Sequence, residues 1–400
     1  MVLLAALLLV TTACGGGGGS SGAQTRQVLV DYDHDEFAGA FLSYFPQVVN
    51  VRPGDTVEFR QFWTGEAHSV TMGTLVDKPL LQVRKALKEN PGLLDQEETP
   101  PELKDAEQAF EALPFMIGED DQVNQVAAQP CYLESGDLPK DPAKPCADKT
   151  LKPFNGRQAY YSSGFIPYEG EKGNKFELEL ADDIAPGTYS YYCNLHGPGM
   201  SGEIQVQPEE SKIPSQSEVS RQGRAEVEKA VQELRAGFDA GRAGNLPEEW
   251  GVPDSQGKKL SGFAPVKPGV QAFGSEFLPR DINAKVGEKV TWAFVGGHTV
   301  SFDVPKYLPI VIIAEDGTVT FNPQAYKPVG SPGPPKEEQS GPPGRRPKPP
   351  EVDAGRWDGS GFLSSGLLFE GSWSLTFTKP GNYKYACLVH PRMLGEVVVR

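Results

Sequence analysis

Short stretches in which apolar and polar residues alternate recur along the chain, and they predict many β-strands joined by turns. Residues 44–59, YFPQVVNVRPGDTVEF, contain two such stretches on either side of a glycine turn. Residues 277–292, FLPRDINAKVGEKVTW, align with them without a gap, so that Pro46 matches Pro279. The 45 Gly and 36 Pro residues agree with short strands and turns. The chain therefore repeats one strand–turn–strand unit.

The repeat extends to stretches that contain chemically reactive side chains. Residues 67–70 read AHSV, and residues 297–300 read GHTV. Farther along, residues 187–206, GTYSYYCNLHGPGMSGEIQV, match residues 381–399, GNYKYACLVHPRMLGEVVV. The chain has five Cys, five His and five Met, and both long stretches hold one of each in the same order. Duplication of a whole folding unit explains this repetition.

Alternation along the strands also predicts which side chains point into the protein. In each copy the cysteine shares a face with two tyrosines, namely Tyr189, Tyr191 and Cys193 in the first and Tyr383, Tyr385 and Cys387 in the second. His68 and His298 likewise share their faces with apolar neighbours. Inward groups on separate strands converge when a β-sandwich brings those strands together. We therefore predict an all-β protein of two tandem β-sandwich domains.

The repeated stretches also set the expected domain boundaries. We predict the first domain at residues 27–207, with an insertion at residues 76–150. The second domain is predicted at residues 257–400, with a Pro-rich insertion at residues 323–352 that favours disorder or polyproline II conformation. Residues 208–256 form a polar linker between them.

Two helices are predicted outside the sandwiches. In the first insertion, residues 99–102, TPPE, have the pattern of a capping box. The apolar residues that follow at helical spacing are Leu103, Ala106, Phe110 and Leu113. The linker contains one amphipathic helix, whose apolar face presents Val227, Val231, Leu234 and Phe238. This face suits packing on either domain.

The N-terminal residues 1–26 are interpreted as an export signal followed by a tether. The apolar run after Met1 is too short to span a bilayer but fits the central region of a signal peptide. Small residues followed by Cys14 resemble a bacterial lipoprotein cleavage site, at which this cysteine is lipidated. Ordinary signal cleavage that discards Cys14 is the alternative. Both interpretations predict export, and the first predicts anchoring at the outer face of the cytoplasmic membrane or in the periplasm.

Export bears on the interpretation of two further cysteines. Cys131 and Cys146 flank a polar, Pro-rich loop, and an oxidising compartment permits a disulfide between them. Closing a loop of this length contributes about 3 kcal/mol of stability in the chain-entropy model. A metal site formed by the two cysteines is the weaker alternative, because no His lies near them in the sequence.

The charge of the protein restricts its partners. The formal net charge is −15 at pH 7. Nucleic-acid binding is excluded on this ground, because phosphate contacts require patches of Lys and Arg. A protein partner is instead expected to present a basic docking surface.

Each copy offers an inward His and, on a loop between two strands, a Cys, a His and a Met. The two sets are His68, Cys193, His196 and Met200, and His298, Cys387, His390 and Met393. Thiolate and thioether sulfur are soft ligands that suit Cu(I), and imidazole suits both oxidation states of copper. Zinc sites more often use Cys pairs or all-His sets. The residue types therefore favour copper in a site suited to electron transfer.

These motifs resemble the ligand motifs of the cupredoxin family, the blue type 1 copper proteins that include plastocyanin and amicyanin. The second loop has the C-x2-H-x2-M spacing of amicyanin, and the first, C-x2-H-x3-M, is one residue longer. The resemblance covers about residues 27–75, 158–207, 262–305 and 356–400. It implies two Greek-key β-sandwiches that each bind one type 1 copper ion through the four residues of their set.

The resemblance implies an electron carrier between redox proteins, with the imidazole edge of His196 or His390 as the exit route. Ser69 and Thr299 stand where family members commonly have Asn after the first ligand, and their hydroxyls can tie the two ligand segments together. The alternative function is copper delivery or storage in the cell envelope. That function would favour exposed tracts rich in Met or His.

An oxidase or reductase built from such domains is disfavoured by the histidine count. Additional catalytic copper ions need further histidines, and only His34 remains outside the two ligand sets. His34 lies in the acidic run of residues 31–36, DYDHDE. We interpret this run as a solvated loop, with a second kind of metal site as the alternative. The protein is therefore predicted not to be an enzyme.

Overall fold

The computed structural model describes residues 22–93, 100–117, 122–166, 174–252, 257–267, 269–306, 308–334 and 349–400. Cys14, the predicted signal segment and Thr99 of the predicted capping box lie outside these residues, as does the middle of the Pro-rich insertion. Within the described residues, no helix is both long enough and apolar enough to cross a membrane.

The N-terminal half contains two sheets that pack face to face. One sheet has the order β3-β1-β5-β9, with β1 Thr25–Val30, β3 Tyr44–Phe45, β5 Thr56–Gln61 and β9 Lys175–Glu179. The other has the order β4-β11-β10-β6-β8-β7, with β4 Val48–Val51, β6 Thr71–Met72, β7 Cys131–Leu133, β8 Tyr160–Ser162, β10 Gly187–Cys193 and β11 Gly197–Val206. Apolar side chains from both sheets, including Phe59 and Tyr191, fill the space between them.

The C-terminal half repeats this arrangement. One sheet has the order β19-β21-β15-β12-β13-β2, with β12 Lys259–Phe263, β13 Ala272–Leu278, β15 Lys289–Phe294, β19 Glu351–Trp357, β21 Ser372–Phe377 and, from the N-terminal half, β2 Gly39–Phe41. The other has the order β14-β23-β22-β16-β20, with β14 Asp281–Ala284, β16 Ser301–Phe302, β20 Leu363–Ser364, β22 Gly381–Ala386 and β23 Leu394–Val399. The prediction of an all-β fold is confirmed.

The strand pairing shows that the two halves are copies of one topology. In the first half, β1 runs parallel to β5 and β4 runs parallel to β11. In the second half, β12 runs parallel to β15 and β14 runs parallel to β23. The second half adds a small hairpin of β17 Val311–Ile313 and β18 Val319–Phe321, which the sequence analysis did not predict.

Strand β2 joins the two halves, because it comes from the first half but pairs with β13 of the second. Gly39 lies opposite Gly274 in this antiparallel pair, and Phe41 lies opposite Ala272. The backbone N–H of Ala38 also donates to the carboxylate of Glu276 at 2.9 Å. A sheet of the C-terminal half is therefore extended by a segment of the N-terminal half.

The linker forms the predicted helix, α4 Gln216–Ala243, which begins with a capping box between Ser215 and Glu218. Its 28 residues span about 42 Å at the usual helical rise. Three of the predicted apolar residues are buried in one cluster with side chains of both halves. The cluster includes Val227, Val231, Leu234, Phe37, Phe41, Leu260 and Phe263. The helix thus packs on both halves at once and supplies part of their shared core.

The first insertion contains more helix than the sequence analysis predicted. The structure has α1 Thr74–Glu89, α2 Lys104–Glu111 after a short 3-10 turn, and α3 Gln125–Ala128. Helix α1 was not predicted, although Val76, Leu80 and Val83 bury one of its faces. The insertion also holds a disulfide between Cys131 and Cys146, whose Cα atoms lie 5.3 Å apart.

Helix α1 places one carboxyl group where its charge is unfavourable. Half-buried Asp77 accepts a hydrogen bond of 3.2 Å from the backbone N–H of Ser190 in β10. Burial raises the pKa of Asp77 to about 6, although this hydrogen bond opposes the rise. The pKa of Asp77 is higher in the folded protein than in the unfolded protein, so protonated Asp77 favours folding. This contribution to the free energy of unfolding is fully present at low pH and is lost as the pH rises through about 6.

We expect Asp77→Asn to stabilise the protein at neutral pH, because the amide accepts the same hydrogen bond without a buried charge. The free energy of unfolding of the variant should exceed that of the parent by about 1–3 kcal/mol above pH 7, and the difference should disappear at about pH 4. Denaturant unfolding at both pH values measures it. Asp137→Asn, at an exposed residue, is the matched control and should change little. Equal stability of the Asp77 variant and the parent at neutral pH would contradict the prediction.

Candidate metal centres

The structure brings three predicted ligands of the first set together inside the N-terminal sandwich. One ligand atom each from His68, Cys193 and His196 lies within 4.8 Å of the others. Cys193 ends strand β10, and its Sγ lies 3.5 Å from Nδ1 of His196. His68 comes from the segment before β6 and is fully buried. Among the described residues, its Nδ1 has no hydrogen-bond partner.

The C-terminal sandwich repeats this geometry with His298, Cys387 and His390. Their ligand atoms also lie within 4.8 Å of one another. The Sγ of Cys387 lies 3.5 Å from Nδ1 of His390, and the Nδ1 atoms of His298 and His390 are 3.1 Å apart. Each half therefore has one buried cluster of two imidazoles and one thiol.

The predicted thioether ligands, Met200 and Met393, are both fully buried. Met200 lies in β11 and belongs to the same core cluster as Cys193. Met393 belongs to the same cluster as Cys387, whose backbone N–H donates to the carbonyl of Met393 at 3.0 Å. Each methionine is thus held in the interior of the sandwich that contains its cysteine.

Hydroxyl groups tie the two ligand segments of each centre together, which confirms that prediction. Ser69 Oγ accepts a hydrogen bond of 2.9 Å from the backbone N–H of Asn194, directly after Cys193. Thr299 Oγ1 accepts one of 2.8 Å from the N–H of Leu388, directly after Cys387. The backbone N–H groups of Ser69 and Thr299 point at the two sulfur atoms, each at 3.4 Å.

The surrounding charges favour a thiolate at each cysteine. Burial by itself raises the pKa of Cys193, but the neighbouring imidazoles of His196 and His68 hold it well below its usual value. The pKa of Cys387 is lowered in the same way, chiefly by His390. Burial lowers the pKa of His390, but the adjacent thiolate and Glu66 raise it to about 10. The clusters thus concentrate negative charge on sulfur beside imidazole nitrogens.

The donor atoms fit a soft metal ion. A buried imidazole nitrogen without a hydrogen-bond partner is costly in a protein interior, and Nδ1 of His68 is such an atom. In the second centre two Nδ1 atoms approach within 3.1 Å. In each cluster, a metal ion between the three ligand atoms would accept one lone pair from each of the two imidazole nitrogens and one from the thiolate. Two imidazoles, a thiolate and a thioether form the set that copper electron-transfer sites use, and each half holds its thioether in the same core cluster as its cysteine.

Asp31 is a residue of the first candidate centre that the sequence analysis missed. It follows strand β1 with a φ of 64° and is fully buried. Its carboxylate accepts hydrogen bonds from the backbone N–H of Phe41 and the hydroxyl of Thr64, both at 2.6 Å, and from Nε2 of His68 at 3.1 Å. This last bond leaves Nδ1 of His68 directed at the centre. The acidic run of residues 31–36 therefore contributes a buried residue and is not only a solvated loop.

The second half has a glycine at the position equivalent to Asp31. The matching strand pairs are Val30 with Gln61 and Ser261 with Phe294. The next residues are Asp31 and Gly262, and both have positive φ. A Cβ at Gly262 would overlap Nε2 of His298. That nitrogen has no hydrogen-bond partner among the described residues. The two centres therefore differ behind their first histidine.

Glu66 is the second residue that the sequence analysis missed. Its carboxylate accepts hydrogen bonds from Nε2 of His196 at 3.2 Å and from Nε2 of His390 at 3.1 Å. The imidazole edges predicted as exit routes are thus turned towards this carboxylate, and only 1% of the His390 side chain is exposed. One feature of the sequence could have indicated Glu66. The segment between Phe59 and His68 has eight residues, whereas the matching segment between Trp292 and His298 has five, so the first copy contains extra residues here.

His34 lies outside the two clusters of ligand atoms that the described residues form. Its ring stacks on Phe37 with the ring centroids 4.8 Å apart. The surrounding acidic run is bound by Arg392, which donates to Asp33 at 2.5 Å and to the carbonyl of His34 at 2.7 Å. This run therefore contacts the C-terminal half.

No protein family model matches the sequence, and no curated protein matches it. Among solved structures, the chain is similar to the reduced Cu(I) form of an amicyanin variant at pH 4, with 23% identity, 37% of this chain and 86% of that chain covered, and a TM-score of 0.18. It is also similar to a purple cupredoxin from Nitrosopumilus maritimus, with 19% identity, coverages of 32% and 83%, and a TM-score of 0.15.

The space behind His298 can be tested with two glycine variants. Gly262→Ala should displace His298, and Cu(I) titration should then detect fewer bound ions. Gly287→Ala is the matched control, because its φ of 85° is similar to the 90° of Gly262 but nothing lies within 4 Å of the added Cβ. We expect the control to lose only about 1–2 kcal/mol of stability through backbone strain. Equal metal binding by the two variants would contradict the assignment of His298.

Proposed function

We propose that the protein is a copper-binding electron-transfer protein with one type 1 copper site in each half. The observation that supports this most strongly is the pair of clusters in which two imidazoles and a low-pKa thiol converge, each in a sandwich core that also contains a buried methionine. The ligands would be His68, Cys193, His196 and Met200 in the first site, and His298, Cys387, His390 and Met393 in the second. Bound copper supplies one-electron redox chemistry at each site.

The residues of the chain hold the ligand set in place. The N–H groups of Ser69 and Thr299 donate to the two sulfur atoms, and their hydroxyls fix the segments that follow the cysteines. Burial of both cysteines excludes water from the sulfur. A rigid site suits electron transfer, because little rearrangement is needed when the oxidation state changes.

Burial also favours an electron carrier over a copper delivery protein. His68, Cys193, His298 and Cys387 are at most 5% exposed, so exchange of the ion with an acceptor would require opening of the sandwich. A catalytic role is disfavoured by the five histidines of the chain, since four of them lie in the two centres. We therefore propose that the protein is not an enzyme.

The proposal includes export, anchoring and a redox partner. The N-terminal apolar segment and Cys14 support secretion and lipid attachment at the outer face of the cytoplasmic membrane or in the periplasm. The net charge of −15 supports donor and acceptor proteins with basic docking surfaces.

Replacing one cysteine at a time tests the two copper sites. We expect Cys193→Ser and Cys387→Ser each to bind one copper ion where the parent binds two. Each variant should also lose part of an absorption band at about 600 nm that a Cu(II)–thiolate bond produces. Metal analysis and visible spectra of copper-loaded protein provide the measurements.

Two results would overturn the proposed function. One is retention of both copper ions in the two cysteine variants. The other is purified protein that contains zinc or no metal after growth with ample copper. Colourless protein that passes Cu(I) to an acceptor would instead support delivery.

Because only the first centre has, among the described residues, a carboxylate behind its first histidine, we expect the two centres to differ in reduction potential. Negative charge behind His68 stabilises the oxidised, more positive state of the first site. We expect Asp31→Asn to raise the potential of that site, by about 59 mV for each tenfold change in the relative affinity for the two oxidation states. Redox titration in a Cys387→Ser background isolates the first site. Asp33→Asn is the control, and a lowered potential in the Asp31 variant would refute the explanation.

A further inference from the structure

The carboxylate of Glu66 is a hydrogen-bonded connection between the two centres. Its two oxygens accept from different histidines, Oε2 from His196 at 3.2 Å and Oε1 from His390 at 3.1 Å. Glu66 belongs to the N-terminal half, and His390 belongs to the C-terminal half. One side chain therefore contacts a ligand histidine of each centre.

The backbone around Glu66 is fixed by its neighbours. Gln61 Nε2 donates to the carbonyl of Glu66 at 3.1 Å, and Thr64 is bound to Asp31. Gly65 has a φ of 113°, and a Cβ there would overlap the carbonyl of Val389 and lie 2.8 Å from the ring of His390. Only glycine allows this close approach of the loop to the second centre.

Contacts outside the centres hold the two halves in register at this point. Strand β2 of the first half pairs with β13 of the second. Gln125 exchanges two hydrogen bonds with the backbone of Val319, at 2.8 and 3.0 Å. Arg392, two residues beyond His390, binds Asp33. The position of Glu66 between the histidines is therefore set by an extended interface.

The hydrogen bonds also fix the chemistry of both rings. When Nδ1 of a histidine is a metal ligand, its Nε2 carries the proton and donates. Both Nε2 atoms face the carboxylate, so one side chain selects this tautomer in both rings. The carboxylate thus accepts a hydrogen bond from each ring.

We propose that single electrons pass between the two centres along the hydrogen-bonded path His196–Glu66–His390, in which Glu66 couples the two rings and is itself neither oxidised nor reduced. This inference rests on the proposed function. In the step, one centre loses an electron and the other gains it, so no external oxidant or reductant is consumed. Both Nε2–H groups keep their protons.

The rate of internal electron exchange tests this role. Copper-loaded protein is reduced by less than one electron per molecule in a fast pulse, and redistribution between the centres is followed by absorbance. We expect a first-order phase in the parent whose rate is independent of protein concentration. Glu66→Ala should slow this phase by about 10- to 100-fold, because it breaks the hydrogen-bonded path; the loss of a partner behind a metal ligand changes metal affinity or activity by a similar factor. Glu66→Gln should fall between them, because one amide cannot accept from both rings as the carboxylate does.

Asp35→Asn is the matched control, since it removes an exposed carboxylate of the same acidic run and keeps the backbone carbonyl that accepts from Arg392. Its exchange rate should equal that of the parent. Copper content and both potentials are measured for each variant, so that a slower rate is not caused by a lost ion or a changed driving force. An unchanged rate in fully loaded Glu66→Ala would overturn the proposal, as would the absence of a first-order phase in the loaded parent.

A second readout does not depend on electron transfer. In Cu(I)-loaded protein, which is diamagnetic, the Nε2–H protons of His196 and His390 give separate NMR signals. Glu66→Gln should shift both signals, although the two histidines lie in different halves. A shift of the His196 signal alone would contradict the proposal that Glu66 connects the two rings. If the protein binds no copper, the proposed function fails, and the same two signals measured with Ag(I) still decide whether Glu66 joins the rings.

Discussion

Each centre depends on one geometric constraint: a cysteine at the end of one strand must meet, in the interior, a histidine that precedes another strand. Neither residue achieves this locally. Cys193 and His68 are far apart in the sequence and meet because β10 pairs with β6. The N–H of Ser69 then reaches the sulfur, and its hydroxyl binds the next turn. In the second half, Thr299 makes the same two contacts, to the sulfur of Cys387 and to the residue after it. The strand pairing of the sandwich therefore also brings the ligand residues together.

The features predicted from the sequence are those that repeat or alternate. The two-residue alternation of the strands correctly placed Cys193 and Cys387 in the interior. The duplication identified His68 and His298 as equivalent residues of the two copies. Asp31 and Glu66 could not be predicted in this way, because each acts through a partner that lies far away in the sequence or in the other half. Helix α1 was missed because it lies in an insertion that has no second copy for comparison.

The linker illustrates a different limit of sequence reasoning. The apolar stripe of α4 was visible at helical spacing, but a stripe does not identify the surface that covers it. In the structure, Leu234 belongs to one buried cluster with residues from both halves, such as Phe41 and Phe263. The helix therefore adds to a core between the halves, and this core, together with β2, fixes the distance that the Glu66 side chain has to bridge.

The crossing of β2 also restricts how such a protein can be divided or shortened. A fragment that ended before the linker would carry β2 without its partner strand, and a fragment that began after it would expose the edge of β13. An unpaired edge invites pairing with other chains. The two halves therefore share a strand pair and a helix-centred core, so neither half keeps its complete sheets and core when it is cut from the other.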